Sequence, residues 1–374
     1  MIKSQEERGT VEYDYLVVGA GLFGSVFARE MTDSGCRCLV IEKRAHIGGN
    51  CYTKTQKEIN VHKYGPHVFH TDDEIVWRYV NRFARFNHFI NTPKVRYHDR
   101  IFSFPINLMT LHQLWGVKTP AEAKAKLDSV RAPIPSPQNM EEWCLANLGE
   151  EIYKVFIKGY TKKQWQKDPK ELPVAYIQRL PVRMVFDENY YRHRFQGVPS
   201  GGYTPIFEKL LDGIECVFGA DFLKDRSAFE KKAKKIIYTG RIDEYFDFRH
   251  GELEYRALRF DEEEHQGNYQ GNAVMNYAEE NVPFTRIIEH KHFEFVDCPH
   301  TIITKEFPIA WRREEEPYYP VHTSENSKKY LHYKKEADKI PGTIFGGRLA
   351  QYEYFDMDQT IGQALKMAKS EGNN

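Results

Sequence analysis

The chain has 374 residues with 53 basic and 53 acidic side chains, so no net field draws it to nucleic acid or an anionic membrane, and any anion site must be local. Its length exceeds what one hydrophobic core usually serves, which implies two or more domains. The cysteines (Cys36, Cys38, Cys51, Cys144, Cys216 and Cys298) show neither paired metal spacing nor a dense disulfide pattern, so no metal is expected and a reducing cytoplasm fits.

The opening MIKSQEERGTVEY is polar. No later run approaches the roughly 18 apolar residues of a membrane span, so a soluble, cytoplasmic protein without membrane insertion is expected. From Tyr13 to Lys43 the sequence runs strand, glycine turn, helix, strand, a βαβ unit that implies a parallel sheet. Gly19, Gly21 and Gly24 spell G-x-G-x-x-G at the start of that helix, where N–H groups and the helix dipole hold a pyrophosphate. Glu42 ends the second strand, placed to accept bonds from a ribose diol. The second glycine pair in HIGGN, with IIYTG at 236–240 and FGG before the closing helix, favours FAD over NAD.

The stretch from Glu74 to about Lys126 repeats apolar residues at helical spacing. After the connector RAPIPSPQNM, MEEWCLANLGEEIYKVFIKGY resumes that spacing, so a helical insert is expected. Beyond Pro173, segments such as RMVFD, CVFG, KKIIYTG, AVMNYA and HKHFEFV read as short strands of an antiparallel sheet, mixed with strands returning to the first domain.

Two regions carry candidate chemistry. KYGPHVFHT places His67 and His70 on one side of an extended segment. Metal ligation or a satisfied histidine pair is the alternative to His67 packing beside a flavin, but nothing nearby completes a ligand set. Phe156, Tyr160 and Trp165 followed by Arg179 are the vocabulary of a nucleotide-sugar pocket, aromatic faces for a base and a guanidinium for a phosphate. Taken singly, each reads as well as core or solvated surface. Charge inside strand-like FTRII points to a polar cavity.

The ordered series GAGLFG, EKRAHIGGN, YGPHVFHT, KGYTKKQW, RLPVR, GVPSGGYT, TRIIEHKHF, EPYYPV and FGGRLAQYEYFDMD resembles bacterial UDP-galactopyranose mutase from about Tyr13 to near the C-terminus. The resemblance implies an α/β fold: an FAD-binding Rossmann-like parallel-sheet domain (11–73, 207–245 and 330–374), a helical domain (74–170) and an antiparallel six-stranded sheet domain (171–206 and 246–329) with a mobile loop near 171–183. It implies reversible ring contraction of UDP-galactopyranose to UDP-galactofuranose, active with reduced FAD, through a covalent flavin N5–galactose iminium and without net redox change. Further implications are a homodimer, an external reductant such as NAD(P)H or a flavin reductase, and a product destined for cell-surface glycans.

For residues, it implies catalytic roles for Arg179, Arg286, His67, Tyr354 and Asp356. The substrate set is Phe156, Tyr160, Thr161, Trp165, Tyr190, Asn91, Asn276, Glu306 and Tyr319. The cofactor set joins Gly19, Gly21, Leu22, Phe23, Gly24, Glu42, Lys43, Gly49 and Asn50 to His67, Val68, Phe222, Thr239 and Gly240. It closes with Gly347, Arg348, Tyr354, Asp356, Met357 and Ile361. The competing readings are a flavin-dependent oxidase, whose pocket is usually apolar, and a non-catalytic dinucleotide-binding redox sensor.

Overall fold

The structure is a computed structural model describing residues 11–177, 180 and 182–372. Its first sheet is parallel, in the order Thr343–Phe345, Ala233–Tyr238, Tyr13–Val18, Cys38–Glu42, Glu215–Phe218. Strand Cys38–Glu42 is wholly buried, as a strand covered on both faces must be. Helix Leu22–Asp33 crosses between the two strands of the βαβ unit and buries Phe23, Val26, Phe27 and Ala28 beneath the closing helix Met357–Gly372.

The second sheet has seven strands: Tyr319–Pro320, Tyr255–Gln266, His300–Ile309, Arg286–Glu289, Val274–Tyr277, Lys94–Tyr97 and Arg100–Ser103. It is mixed, because Val274–Tyr277 pairs parallel with Lys94–Tyr97 while the other neighbours are antiparallel. The expected antiparallel six-stranded sheet thus gains a hairpin from a stretch read as helical. That hairpin turns at His98–Asp99, with His98 at φ +55°, the left-handed geometry of a tight two-residue turn.

The helical insert is present as Leu108–Trp115, Pro120–Val130, Met140–Asn147 and Gly159–Trp165. Asn107 and Thr110 cap the first of these reciprocally. A widened turn, Tyr153–Lys158, precedes the last and buries Phe156. Among the described residues two expected strands do not form. RMVFD coils instead because the buried Arg183 guanidinium gathers the carbonyls of Asp187, Asn189 and Tyr190. HKHFEFV contains a 3-10 turn, His290–Phe293, followed by Phe295 at φ +56°.

Candidate active site

Gly21 caps helix Leu22–Asp33 without a side-chain acceptor, leaving the first N–H groups and the positive helix end at a long groove. Gly19 sits at φ +108°, and a Cβ there would lie 2.2 Å from Thr239 Oγ1. A Cβ on Gly24 would lie 2.1 Å from the Gly19 carbonyl oxygen, and one on Gly49 would lie 3.1 Å from the Gly21 Cα. Two glycine turns therefore meet backbone to backbone, a cradle that fits a dinucleotide pyrophosphate.

The groove lining continues through Glu42, Lys43, Asn50, Phe222, Thr239 and Gly240 to His67, Gly347, Arg348 and Met357. Glu42 is buried and its two oxygens accept the Ala20 and Arg44 N–H groups, both at 2.9 Å. The carboxylate therefore shapes the turn as well as offering lone pairs to a ribose. Val68, just before strand Phe69–Thr71, and Ile361, on the closing helix, are expected as cofactor contacts; both are buried in the hydrophobic core and lie off that lining. Tyr354 and Asp356 lie off the lining, with the tyrosine cluster described below.

His67 hydrogen bonds through Nδ1 to the Gly65 carbonyl (2.9 Å), and burial pulls its pKa down to about 4. It is thus neutral at pH 7, with the hydrogen on Nδ1 and an acceptor lone pair on Nε2. His70 does not share its surroundings: it bonds His193 between the two Nδ1 atoms (2.7 Å) and stacks on Tyr191 with centroids 3.6 Å apart.

The sheet builds the other half of the site. Asn276, Arg286 and Glu306 stand directly opposite one another on three neighbouring strands, with Phe260 facing Glu306 from a fourth. Opposed residues share a face, so register alone makes this polar row. Arg286 Nε donates to Glu306 Oε2 at 2.7 Å, and Glu306 is fully buried. Burial opposes the Arg286 charge most strongly, but the Glu306 carboxylate together with Tyr160 and Tyr319 holds the guanidinium above its ordinary range.

Tyr160, Tyr190 and Tyr319 gather around Arg286; burial raises all three phenols while the guanidinium draws them the other way. Tyr354 lies 5.6 Å from Tyr319, ring to ring, and carries the Arg348 guanidinium over its face at 4.8 Å. Arg348 and Arg286 both act on His67, which joins the row to the end of the groove. Asp356 lies within electrostatic reach of Tyr190, Tyr191 and Tyr354.

Phe156 is largely covered, packed against Phe102 (5.3 Å) and Phe104 (6.4 Å), and Trp165 meets Tyr176 edge-on at 4.5 Å. Thr161 is buried, and Lys163 from the same helix donates to the Tyr277 and Phe284 carbonyls at 2.7 and 2.9 Å, fastening the helix to the sheet. Asn91 accepts the Tyr190 N–H at 2.8 Å through its backbone carbonyl, and its side-chain oxygen is buried without a partner among the described residues. Arg179 lies outside the described residues.

Sequence reading passed over Arg44, Cys51, Arg241, Glu244 and Glu316 on the groove lining. Glu316 sits inside EPYYPV, where the resemblance singled out only Tyr319. Arg256 was also missed; it is opposite Tyr319 and buried, and among the described residues its Nε and Nη2 have no hydrogen-bond partner. The signal was an arginine within the strand YRALRF.

A family model for UDP-galactopyranose mutase matches residues 155–354, and one for an NAD(P)-binding Rossmann-like domain matches residues 17–83. The chain is 40% identical to a probable UDP-galactopyranose mutase of Klebsiella pneumoniae over 360 residues, covering 94% of this chain and 93% of the relative. It is 38% identical to a dTDP-fucopyranose mutase of Escherichia coli over 365 residues, 95% of this chain and 97% of the relative. A solved structure of reduced UDP-galactopyranose mutase shares the fold, with a TM-score of 0.72 at 14% identity over 96% of this chain and 95% of that one. With the glycine cradle and the polar row on one framework and relatives matching nearly end to end, the chain belongs to the UDP-galactopyranose mutase family, a family of flavin-dependent isomerases.

Proposed function

We propose that this chain interconverts UDP-galactopyranose and UDP-galactofuranose, with FAD in the groove and active when reduced. The carrying observation is the Asn276–Arg286–Glu306 row with its tyrosines beside His67 and Arg348 at the end of the groove. A permanent cation ringed by neutral phenols suits a diphosphate-linked, hydroxyl-rich ligand and does not suit the apolar amine of an oxidase. When bound, the reduced flavin supplies the nucleophile for the anomeric carbon, so the sugar stays held while its ring opens and recloses without net redox change.

The protein's part is to position and stabilise. Arg286, together with Arg179, takes up charge on the departing diphosphate, and Tyr190, Tyr319 and Tyr354 donate to it. Phe156, Tyr160, Thr161 and Trp165 hold the uridine, while Asn91, Asn276 and Glu306 face the sugar. His67, neutral, offers an acceptor beside the flavin, with Asp356 and Arg348 at its margin. The family resemblance supports a cytoplasmic homodimer, reduced by NAD(P)H or a flavin reductase, that feeds galactofuranose to cell-surface glycans.

The test is anaerobic. Protein reduced with dithionite is given UDP-galactofuranose and the nucleotide sugars are followed by chromatography; conversion to UDP-galactopyranose by reduced but not oxidised protein supports the reading. No conversion by fully flavin-loaded protein overturns it. The near-equal likeness to a dTDP-fucopyranose mutase supports a second reading, a substrate with thymine and a 6-deoxy sugar. Parallel reactions with dTDP-fucofuranose decide between them by kcat/KM.

A further inference from the structure

Arg44 and Glu316 both line the cofactor groove, yet they come from distant parts of the chain: one follows strand Cys38–Glu42, the other leads into strand Tyr319–Pro320. Arg44 Nη2 donates to Glu316 Oε2 at 2.6 Å and to Asn50 Oδ1 at 3.0 Å. Its guanidinium lies 4.5 Å over the Tyr64 ring, whose hydroxyl bonds His46 Nε2 at 2.7 Å. His46 in turn stacks on Tyr52 at 3.9 Å. Arg44 is therefore held in one orientation from below as well as by its carboxylate partner.

The segment after Glu316 is tied from a second side. Arg348, also on the groove lining, donates Nη1 to the Tyr318 carbonyl at 3.2 Å. Residues 316–318 are thus tied to the groove by one arginine at each end, at Glu316 by a side-chain ion pair and at Tyr318 through its carbonyl, with the Tyr318 N–H also donating to the Arg256 carbonyl at 2.9 Å and the Tyr318 ring packing on Phe260. Burial raises the Glu316 carboxyl, but the hydrogen bond and charge of Arg44, aided by Lys43 and His46, hold it below its ordinary range, so the pair is ionised at neutral pH.

We propose that residues 316–318 form a strap that retains the flavin, and that the Arg44–Glu316 ion pair is its latch. The latch acts by holding the groove closed and not by contact with the cofactor. The strap runs into Tyr319, so closure also presents the diphosphate-binding tyrosine. This inference rests on the groove being the FAD site; it does not depend on which sugar is isomerised.

The test uses flavin-loaded protein and the Arg44→Met, Glu316→Gln, double and charge-swapped (Arg44→Glu with Glu316→Arg) variants. FAD release is followed by flavin fluorescence after dilution to nanomolar concentration at low and high salt, with circular dichroism to verify the fold. Each single variant should release FAD about fivefold faster or more, the scale of a partly buried charged hydrogen bond. The double variant should be no faster than the faster single, since one interaction is lost in each. The charge swap should recover part of the retention, and added salt should speed release from the parent but not from Glu316→Gln. Release rates within twofold of the parent overturn the proposal. Additive single effects also overturn it, because they mean that Arg44 and Glu316 each touch FAD directly.

Discussion

Removing Arg286 separates what the polar row does for the fold from what it does for chemistry. Glu306 is fully buried and Arg286 is its charged partner at 2.7 Å, so Arg286→Ala strands a carboxylate away from water. Breaking a buried pair from one side costs about 3–5 kcal/mol, and Thr285 Oγ1 at 3.3 Å offsets little of it. Arg286→Ala should therefore melt several degrees lower and lose at least about a hundredfold in turnover. Adding Glu306→Gln removes the stranded charge while keeping its shape, so the double variant should regain most of the stability and none of the turnover. Melting is followed by circular dichroism and turnover by chromatography of the nucleotide sugars under anaerobic reduction. A double variant that recovers turnover, or an Arg286→Ala protein as stable as the parent, rules out this division between stability and catalysis at Arg286.

Gly19→Ala places a Cβ 2.2 Å from Thr239 Oγ1 at φ +108°, so the purified variant should carry little flavin, read from its visible absorbance against protein; full loading contradicts the cradle. His67 and His290 have pKa values pulled by burial to about 4 and about 3, below the ordinary 6.5. The folded state thus binds fewer protons than the unfolded one between about 6.5 and 4, and stability should rise with pH across that window and fall as pH drops through it. His67→Gln should flatten that slope in urea titrations, and an unchanged slope counts against the assignment. Arg256 is a buried charge with two nitrogens unpaired among the described residues, so Arg256→Leu should leave the melting temperature unchanged or higher; a fall of several degrees reveals a partner.

The parallel sheet was legible because its signals are local: an apolar strand, glycines at fixed offsets, then a helix, all within Tyr13–Glu42. The Lys94–Ser103 hairpin was not, since its turn, His98–Asp99, lacks the glycine that marks tight hairpins, and its strands are only four residues each. RMVFD misled for a different reason: its apolar pattern suits a strand, but the Arg183 guanidinium claims the carbonyls a sheet would need. The motif resemblance named Arg286, Glu306 and Asn276, but their alignment is a property of strand register, which no single-strand pattern contains. Arg44 and Glu316 were invisible for the same reason, being 272 positions apart until the fold brings them together.

In the proposed reaction the anomeric carbon–oxygen bond to the diphosphate breaks and reforms at this site. This cleavage is tested most directly with UDP-galactopyranose carrying oxygen-18 in that bridging position, incubated with anaerobically reduced protein and read by phosphorus NMR. The label should scramble into the non-bridging oxygens of the β-phosphate with reduced protein and stay in place with oxidised protein. Label that remains in the bridge while UDP-galactofuranose forms contradicts the cleavage.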